Sequence, residues 1–188
     1  MLAWRQRGIS LIELIIGIVV LAIALSLVTA VLGPLYIKST DPWHQVRATE
    51  LGQSMLNDIM ARSFDQQSPR SGSVLRCGES GAPACTVQNG DGSWPADAGE
   101  TAADNRLRFN DVDDFDNFTV NGSLLTNILA EDLADVYRNY QLSVSVSYAT
   151  ASEISGISLA ADQVKVITVT VRTPTGSELQ FSSYKGNW

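Results

Sequence analysis

Three features of this chain combine residue types and spacings that could do chemistry. Cys77 and Cys85 are separated by seven residues in a stretch rich in glycine, proline and alanine. Four aspartates cluster within residues 111–116, and a single acid, Glu13, stands in an otherwise apolar run. These features suit disulfide formation, cation binding and charge pairing in an apolar environment, respectively.

The two cysteines are predicted to form a disulfide. The short flexible loop between Cys77 and Cys85 can bring the sulfur atoms together, and a disulfide is the usual outcome outside the cytoplasm. A zinc site would require a tetrahedral set of ligands, and the only histidine, His44, lies far away in the sequence. A redox-active pair more often has the C-x-x-C spacing, so the alternative to a disulfide is two free thiols.

The aspartate cluster offers carboxylate oxygens at a spacing that suits calcium. It lacks the glycine and the terminal glutamate of an EF-hand loop, and a solvated acidic loop is the favoured interpretation. The candidate metal ligands are Asp111, Asp113, Asp114 and Asp116. We expect no other cofactor.

Composition narrows the class of protein. The chain has 188 residues and a net charge of -7, and its apolar residues concentrate in the first forty positions. The acidic remainder argues against nucleic-acid binding, which needs clustered lysine and arginine. Nucleophile-elbow and phosphate-loop patterns are missing from the sequence, and nothing positions a carboxylate pair, so we do not expect an enzyme.

The N-terminal apolar run must position Glu13. From Leu14 to Leu32 the sequence carries no charge, and it is long enough for a membrane span of about 20 residues. A secretory signal would be shorter and would end at a small-residue cleavage site. A plain single-pass anchor, with Arg5 and Arg7 in the cytoplasm, fits the charge pattern but leaves Glu13 unexplained. A charge in a bilayer costs roughly 2.5–3.5 kcal/mol.

A short basic leader ends in Gly8 and is followed by "ISLIE", and this pattern resembles the class III signal of type IV pilins and of type II secretion pseudopilins. The resemblance covers residues 5–30. It implies that a prepilin peptidase cuts between Gly8 and Ile9 and that the new N-terminus at Ile9 is methylated. The family more often has Phe or Met where Ile9 stands.

Cleavage would give Glu13 a partner. The new α-amine at Ile9 is a cation four residues before Glu13, within pairing reach on a helix. In a filament, the resemblance implies that Glu13 meets the amine of an adjacent subunit, and a buried carboxylate that needs a cation then fixes the register of assembly.

The sequence predicts an α+β, pilin-like fold with a long N-terminal helix packed on a C-terminal antiparallel sheet. Gly33-Pro34 and the stretch from Ser39 to Pro42 are predicted to interrupt the helix. Leu51, Met55 and Ile59 recur at helical spacing and should face the sheet. The expected segments are a leader at 1–8, a transmembrane and filament-core helix at 9–37, an amphipathic helix at 41–64 and a globular head at 65–188.

Within the head, residues 65–103 read as a long irregular loop. Leu107 and Phe109 alternate as in a short strand, and Ser123–Tyr137 has helical spacing with Ser123 as N-cap. Strands are predicted in "YQLSVSVSY", in "VKVITVTV" with a bulge or two-sided burial at Val166-Ile167, and in "ELQFSSY" after a turn at 173–176.

The resemblance implies a structural protein. Longer stretches, including "DVDDFDNF" and "YRNYQLSVSVSY", resemble minor pilins of mannose-sensitive haemagglutinin (MSHA) pili, which contribute to pilus biogenesis and adhesion. The implied partners are other pilin subunits, prepilin peptidase and the inner-membrane assembly machinery, first in the inner membrane with a periplasmic head and then in an extracellular pilus. The alternatives are a type II secretion pseudopilin, a tethered enzyme and an anchored binding module outside the pilus system.

Overall fold

The computed structural model describes residues 10–68, 75–95, 100, 103–126, 131–153, 155–156 and 161–187. The chain divides between Trp43 and His44 into two compact units. The first contains the apolar N-terminal run, and the second contains the sheet and its core. A long N-terminal helix followed by a four-stranded antiparallel sheet gives the α+β arrangement that the sequence predicts.

The long helix α1 covers Leu11–Met60 as one continuous element. Both predicted interruptions are therefore wrong, because Gly33-Pro34 and Ser39 to Pro42 lie inside the helix. A proline removes one donor from the helical hydrogen-bond ladder, and the bonds on either side can carry the helix across that gap. The helix also ends before the predicted residue 64, with Phe64 buried just beyond it.

The C-terminal part of α1 contributes one side of the core of the second unit. Leu51, Met55 and Ile59 are buried as predicted, and Leu56 and Met60 are partly buried against the same cluster. Burial of large apolar side chains, worth about 1.5–3 kcal/mol each, is the main force that holds this part of the helix against the sheet. His44, at the start of the unit, lies with Nδ1 2.7 Å from the hydroxyl oxygen of Tyr140.

The sheet is a simple antiparallel meander in the order β1-β2-β3-β4. Its strands are β1 (Thr119–Asn121), β2 (Gln141–Tyr148), β3 (Val164–Arg172) and β4 (Glu178–Gly186). The sequence predicts the last three, together with the turn at 173–176, where Gly176 has a φ of 88°. It does not predict the short strand β1.

Strand β2 shows the alternation expected of a strand with one buried face. Leu142, Val144 and Val146 are buried, whereas the serines between them are less so or exposed. Strand β3 pairs without a bulge with β4 along its whole length and with β2 from Lys165 to Arg172. Ile167 and alternate residues after it face the core, and Lys165 lies on the same face and is fully buried. Val164 is buried in a small separate cluster with Ala149, so β3 is covered on both faces at its start.

Two other predictions for the head are wrong. Leu107 lies in a 3-10 helix, Ala103–Arg108, rather than in a strand. The sequence predicts a helix from Ser123 to Tyr137. In the described part of that segment, the α-helix α2 covers only Ala134–Tyr137. Ser123 lies in the 3-10 helix Gly122–Leu124. Thr126 instead pairs with Asp132 in an antiparallel bridge, and Leu125 is buried in the core. Residues 127–130 lie outside the described residues.

Candidate functional site

The first turn of α1 is closed by Ser10. Its hydroxyl oxygen accepts a hydrogen bond from the backbone N–H of Ile12 at 3.3 Å, and its carbonyl accepts from the N–H groups of Glu13 and Leu14 at 3.0 and 3.1 Å. Ser10 and Glu13 have the S-x-x-E spacing of a capping box. The Ser10 hydroxyl supplies the cap at this end of the helix, a signal that sequence reasoning missed.

Glu13 lies in the first helical turn, where the partial positive charge of the helix N-terminus favours an acid. Gly8 and Ile9 lie outside the described residues, so the cleavage point and the geometry of an amine at Ile9 stay predictions. The pairing role of Glu13 in assembly is likewise a prediction from the sequence.

Among the described residues, one stretch, Leu11–Gly33, is long and apolar enough to cross a membrane. Its large apolar side chains, from Leu11 to Leu32, are each at least 50 % exposed in the isolated chain. So much apolar surface must be covered by lipid or by other protein, because soluble monomers rarely expose a contiguous apolar patch of this size. Thr29 donates its hydroxyl to the carbonyl of Leu25 at 2.9 Å and so satisfies its polar group within the helix.

The predicted disulfide between Cys77 and Cys85 is confirmed, with a Cα–Cα distance of 4.8 Å. The N–H of Gly78 donates to the carbonyl of Pro83 at 2.8 Å and closes the intervening loop. The side chain of Asn187 donates to the carbonyl of Cys77 at 3.0 Å and so joins this loop to the C-terminal end of the sheet. The carboxylate of Asp65 lies near both sulfur atoms, but sulfurs bonded to each other are not thiolate ligands for a metal.

The aspartate cluster is not the solvated loop that the sequence predicts. Asp111 and Asp113 are buried, because the same segment carries three aromatic rings into the core. The side chain of Asp114 accepts the N–H groups of Asn110 and Asp111 at 2.9 and 3.1 Å. Asp116 accepts the N–H of Val146 on β2 at 2.8 Å. The three rings are Phe109, Phe115 and Phe118, which meet edge to face.

A buried lysine, which sequence reasoning missed, completes this cluster. The Nζ atom of Lys165 donates to Oδ1 of Asp113 at 2.7 Å, to the carbonyl of Phe64 at 2.8 Å and to Oδ2 of Asp65 at 3.4 Å. Its three hydrogens thus have three acceptors, as a buried ammonium requires. A lysine within a β-branched strand was a visible signal, because it occupies a position that alternation assigns to the core.

Burial raises the pKa of the two buried acids of the cluster, Asp111 and Asp113. Burial, followed by the neighbouring charge of Asp113, raises the pKa of Asp111 to about 9. Burial also raises the pKa of Asp113, against the opposing effect of the Lys165 ammonium. Lys165 supplies at Asp113 the positive charge that a metal ion would otherwise bring. The structure therefore pairs Asp113 with Lys165, places Asp111 beside Asp113, and directs Asp114 and Asp116 to backbone amides.

Comparison with known proteins identifies the N-terminal segment. Residues 5–29 match the family model described as the prokaryotic N-terminal methylation motif. A search of the curated proteins and a search of the solved structures each returned no match. The motif is a prepilin class III signal and fits a type IV pilin-like protein. It implies processing by prepilin peptidase and assembly with other pilins, a structural rather than an enzymatic role, and, with the apolar helix, a single-pass membrane anchor.

Proposed function

We propose that this chain is a minor pilin of a type IV pilus of the MSHA type, which primes or joins the filament and so contributes to pilus biogenesis and adhesion. The observation that carries the proposal is an acid in the first turn of a span-length apolar helix, within a methylation motif. The resemblance of several longer stretches to the minor pilin MshD supports the narrower assignment.

The precursor is held in the inner membrane by α1. Arg5 and Arg7 precede the span and keep the leader in the cytoplasm, where the prepilin peptidase cuts after Gly8. The acidic head then lies in the periplasm until the pilus assembly machinery moves the subunit into the extracellular filament. A disulfide between Cys77 and Cys85 suits those oxidising compartments.

In the filament, the apolar side chains of α1 pack against the helices of other subunits. Lipid covers this apolar surface in the membrane, and protein covers it once the subunit has left the membrane for the filament. Moving the subunit therefore changes the buried apolar area of α1 very little. Glu13 then pairs with the α-amine of a neighbouring subunit. Because an unpaired buried charge is strongly unfavourable, this contact selects one register of assembly.

The irregular region that follows α1 favours a minor over a major subunit. Residues 75–95 form turns and loops without regular strands, and the disulfide joins two points of this segment. A uniform shaft repeats the same contacts in every subunit, whereas a priming or tip position accommodates an irregular surface. A type II secretion pseudopilin would use the same helix and the same processing, and neighbouring genes for pilus or secretion components separate the two.

The proposal is tested with Glu13→Gln and Glu13→Ala in the native host. Glutamine removes the charge and keeps a polar side chain of similar size, whereas alanine removes both. Both variants should insert in the membrane, and the amount in sheared filaments should fall at least tenfold for both. The measurement is the ratio of filament to membrane protein on immunoblots.

Two results would contradict this proposal. Normal incorporation of Glu13→Gln together with loss of Glu13→Ala would show that Glu13 acts through the size and polarity of its side chain and not as a charge partner. A wild-type chain that is never found in sheared pili, and whose deletion leaves piliation intact but impairs protein secretion, would instead identify a pseudopilin.

A further inference from the structure

The buried lysine and its nearest acid are the two reactants of an amide bond. Lys165 has no exposed surface, and its Nζ atom lies 2.7 Å from Oδ1 of Asp113. A simple ion pair at this depth must offset the cost of removing both charges from water. A covalent amide between the same two groups would carry no charge and would remove that cost.

The environment of the lysine favours loss of water. The Nζ atom lies 4.4 Å from the centroid of the Trp94 ring and 4.5 Å from that of Phe64, and Tyr148 lies at 5.8 Å. Condensation of an amine with an acid releases one water molecule, so exclusion of bulk water shifts that equilibrium towards the amide. Condensation needs a neutral amine and a neutral acid, and the 2.7 Å hydrogen bond from Lys165 to Asp113 offers a direct path for that proton.

A third group is placed to carry a proton. Oδ1 of Asp111 accepts the backbone N–H of Asp113 at 3.1 Å, while its buried Oδ2 accepts no hydrogen bond among the described residues. This is the oxygen on which a proton is expected, because burial and the neighbouring charge of Asp113 raise the pKa of Asp111. Asp111 can thus polarise the Asp113 carboxyl group, as a general acid does.

The other acid beside the lysine is a poorer reactant. Oδ1 of Asp65 accepts the N–H of Gln67 and Oδ2 accepts the N–H of Thr86, both at 2.8 Å. Backbone donors of this kind stabilise the charged carboxylate, which resists attack by an amine. The Oδ2 atom of Asp65 is also farther from Lys165 Nζ, at 3.4 Å.

From this geometry we infer that Lys165 and Asp113 form an intramolecular isopeptide bond, with Asp111 as the proton carrier. The neutral amine of Lys165 attacks Cγ of Asp113, and an N–C bond forms as the carbonyl electrons move to oxygen. Asp111 donates its proton to that oxygen and then transfers a nitrogen proton to the departing hydroxyl group. The C–O bond breaks, water leaves, and Asp111 regains its proton, so the balance is amine plus acid to amide plus water.

The bond would join β3 to the loop before β1, across 52 positions of sequence. The inference does not depend on the proposed pilin role, since it concerns the head alone. Its benefit to a filament subunit would be resistance of the head to unfolding under tension.

The test is a tryptic peptide map of the full chain, purified in detergent and reduced before digestion. Trypsin does not cut after an acylated lysine. We therefore expect residues 109–138 joined to residues 139–172, with a total mass lower by one water molecule, and fragmentation should place the link on Asp113 and Lys165. Free peptides 139–165 and 166–172 as the dominant products would overturn the inference.

The peptide map is needed because intact mass alone is ambiguous. Asp91-Gly92 can lose water by forming a succinimide, and this pair lies in the separate tryptic peptide 77–106. Loss of water confined to that peptide would count against the bond. A link from Lys165 to Asp65 would overturn the assignment of Asp113.

Matched variants test each role. Lys165→Met should abolish the linked peptide, whereas Lys185→Met, on the paired position of β4, should keep it. Asp111→Asn keeps the shape of the side chain but cannot release a proton, and the linked fraction should fall at least tenfold. Asp135→Asn, at an exposed acid in the same tryptic peptide, should leave it unchanged. An equal linked fraction in Asp111→Asn and wild type would contradict the proton-carrying role, and the wild-type map decides the bond even if a variant fails to fold.

Discussion

The backbone carbonyl oxygen of Tyr137 lies where the Cβ atom of any larger residue at Gly122 would have to stand. The N–H of Gly122 also donates to the carbonyl of Tyr140 at 2.7 Å. These two contacts bring the end of β1 against the turn that leads into β2. Only a glycine permits this close approach, because the neighbouring atoms belong to the backbone and cannot rotate away.

Gly122→Ala is therefore expected to lower the free energy of unfolding by about 1–3 kcal/mol, since an added methyl group forces the backbone to shift. Chemical denaturation of the full chain in detergent measures the change. Gly90→Ala is the control, because a methyl group added there would meet no other atom within 4 Å. Equal midpoints for the two variants would contradict the steric explanation.

Gly52→Ala makes a contrasting case. A methyl group there would overlap the ring of Phe181, but that side chain is only partly buried and can move. Alanine also gains up to about 1 kcal/mol over glycine inside a helix. The two effects should nearly cancel in Gly52→Ala. The double variant Gly52→Ala/Phe181→Leu should be more stable than the single variant Phe181→Leu. Chemical denaturation of the two variants measures this difference. A large loss of stability in Gly52→Ala alone would show that the ring cannot move.

Stability of the head should decrease as pH rises from weakly acidic to alkaline. The pKa of Asp111 is raised to about 9 in the folded chain, so its proton is retained there while the unfolded chain has lost it. The stabilisation is complete below the unfolded pKa and is lost as pH rises through about 9, with a slope of up to about 1.4 kcal/mol per pH unit. Asp111→Asn should flatten this dependence in denaturation curves recorded across that range. An unchanged slope would contradict the assignment.

Removal of the disulfide should have a local effect. Replacement of Cys77 and Cys85 by serine should cost at most about 2–3 kcal/mol, because the closed loop is short. Hydrogen exchange should accelerate around residues 76–86 and at Asn187, which donates to the carbonyl of Cys77. Exchange in β2 and β3 should change little, and loss of protection there would show that the disulfide supports the whole sheet.

Processing should depend on Gly8. Gly8→Val is expected to block cleavage and to leave a precursor that is eight residues longer than the wild-type product. Ala3→Val, in the same leader, should be processed normally. N-terminal mass spectrometry of filament-associated protein should find a methylated Ile9, and an intact Met1 start in that fraction would contradict the prepilin interpretation.

The sheet could be predicted from the sequence wherever burial is one-sided. Strand β2 alternates without exception, and its buried face follows directly from that pattern. The buried face of strand β3 is harder to predict, because Lys165 occupies a core position and Val164 is buried on the opposite face. Hydrophobic periodicity assumes that charged residues face water, and a lysine with three acceptors breaks that assumption.

The errors in helix prediction are of two kinds. Pro34 and Pro42 carry local signals for a break, yet α1 continues through both. The segment after Ser123 has helical spacing, but burial of Leu125 and the close contact at Gly122 fix it in another path. At the N-terminal site, the sequence predicts both the apolar run and the importance of Glu13. The cap formed by Ser10 is not predicted, because Ser10 also belongs to the prepilin-like pattern and is interpreted only as part of it.

The chain-order meander also sets how quickly the head can form. Each strand of the described sheet pairs with the next one in sequence, and the β3–β4 hairpin closes over residues 173–177 alone, whereas the connections before β2 and β3 are longer. A subunit whose first helix is already held in a bilayer can therefore build its sheet one hairpin at a time in the segment beyond the membrane. The Lys165–Asp113 contact spans 52 positions of sequence, so we expect it to form after the β3–β4 hairpin.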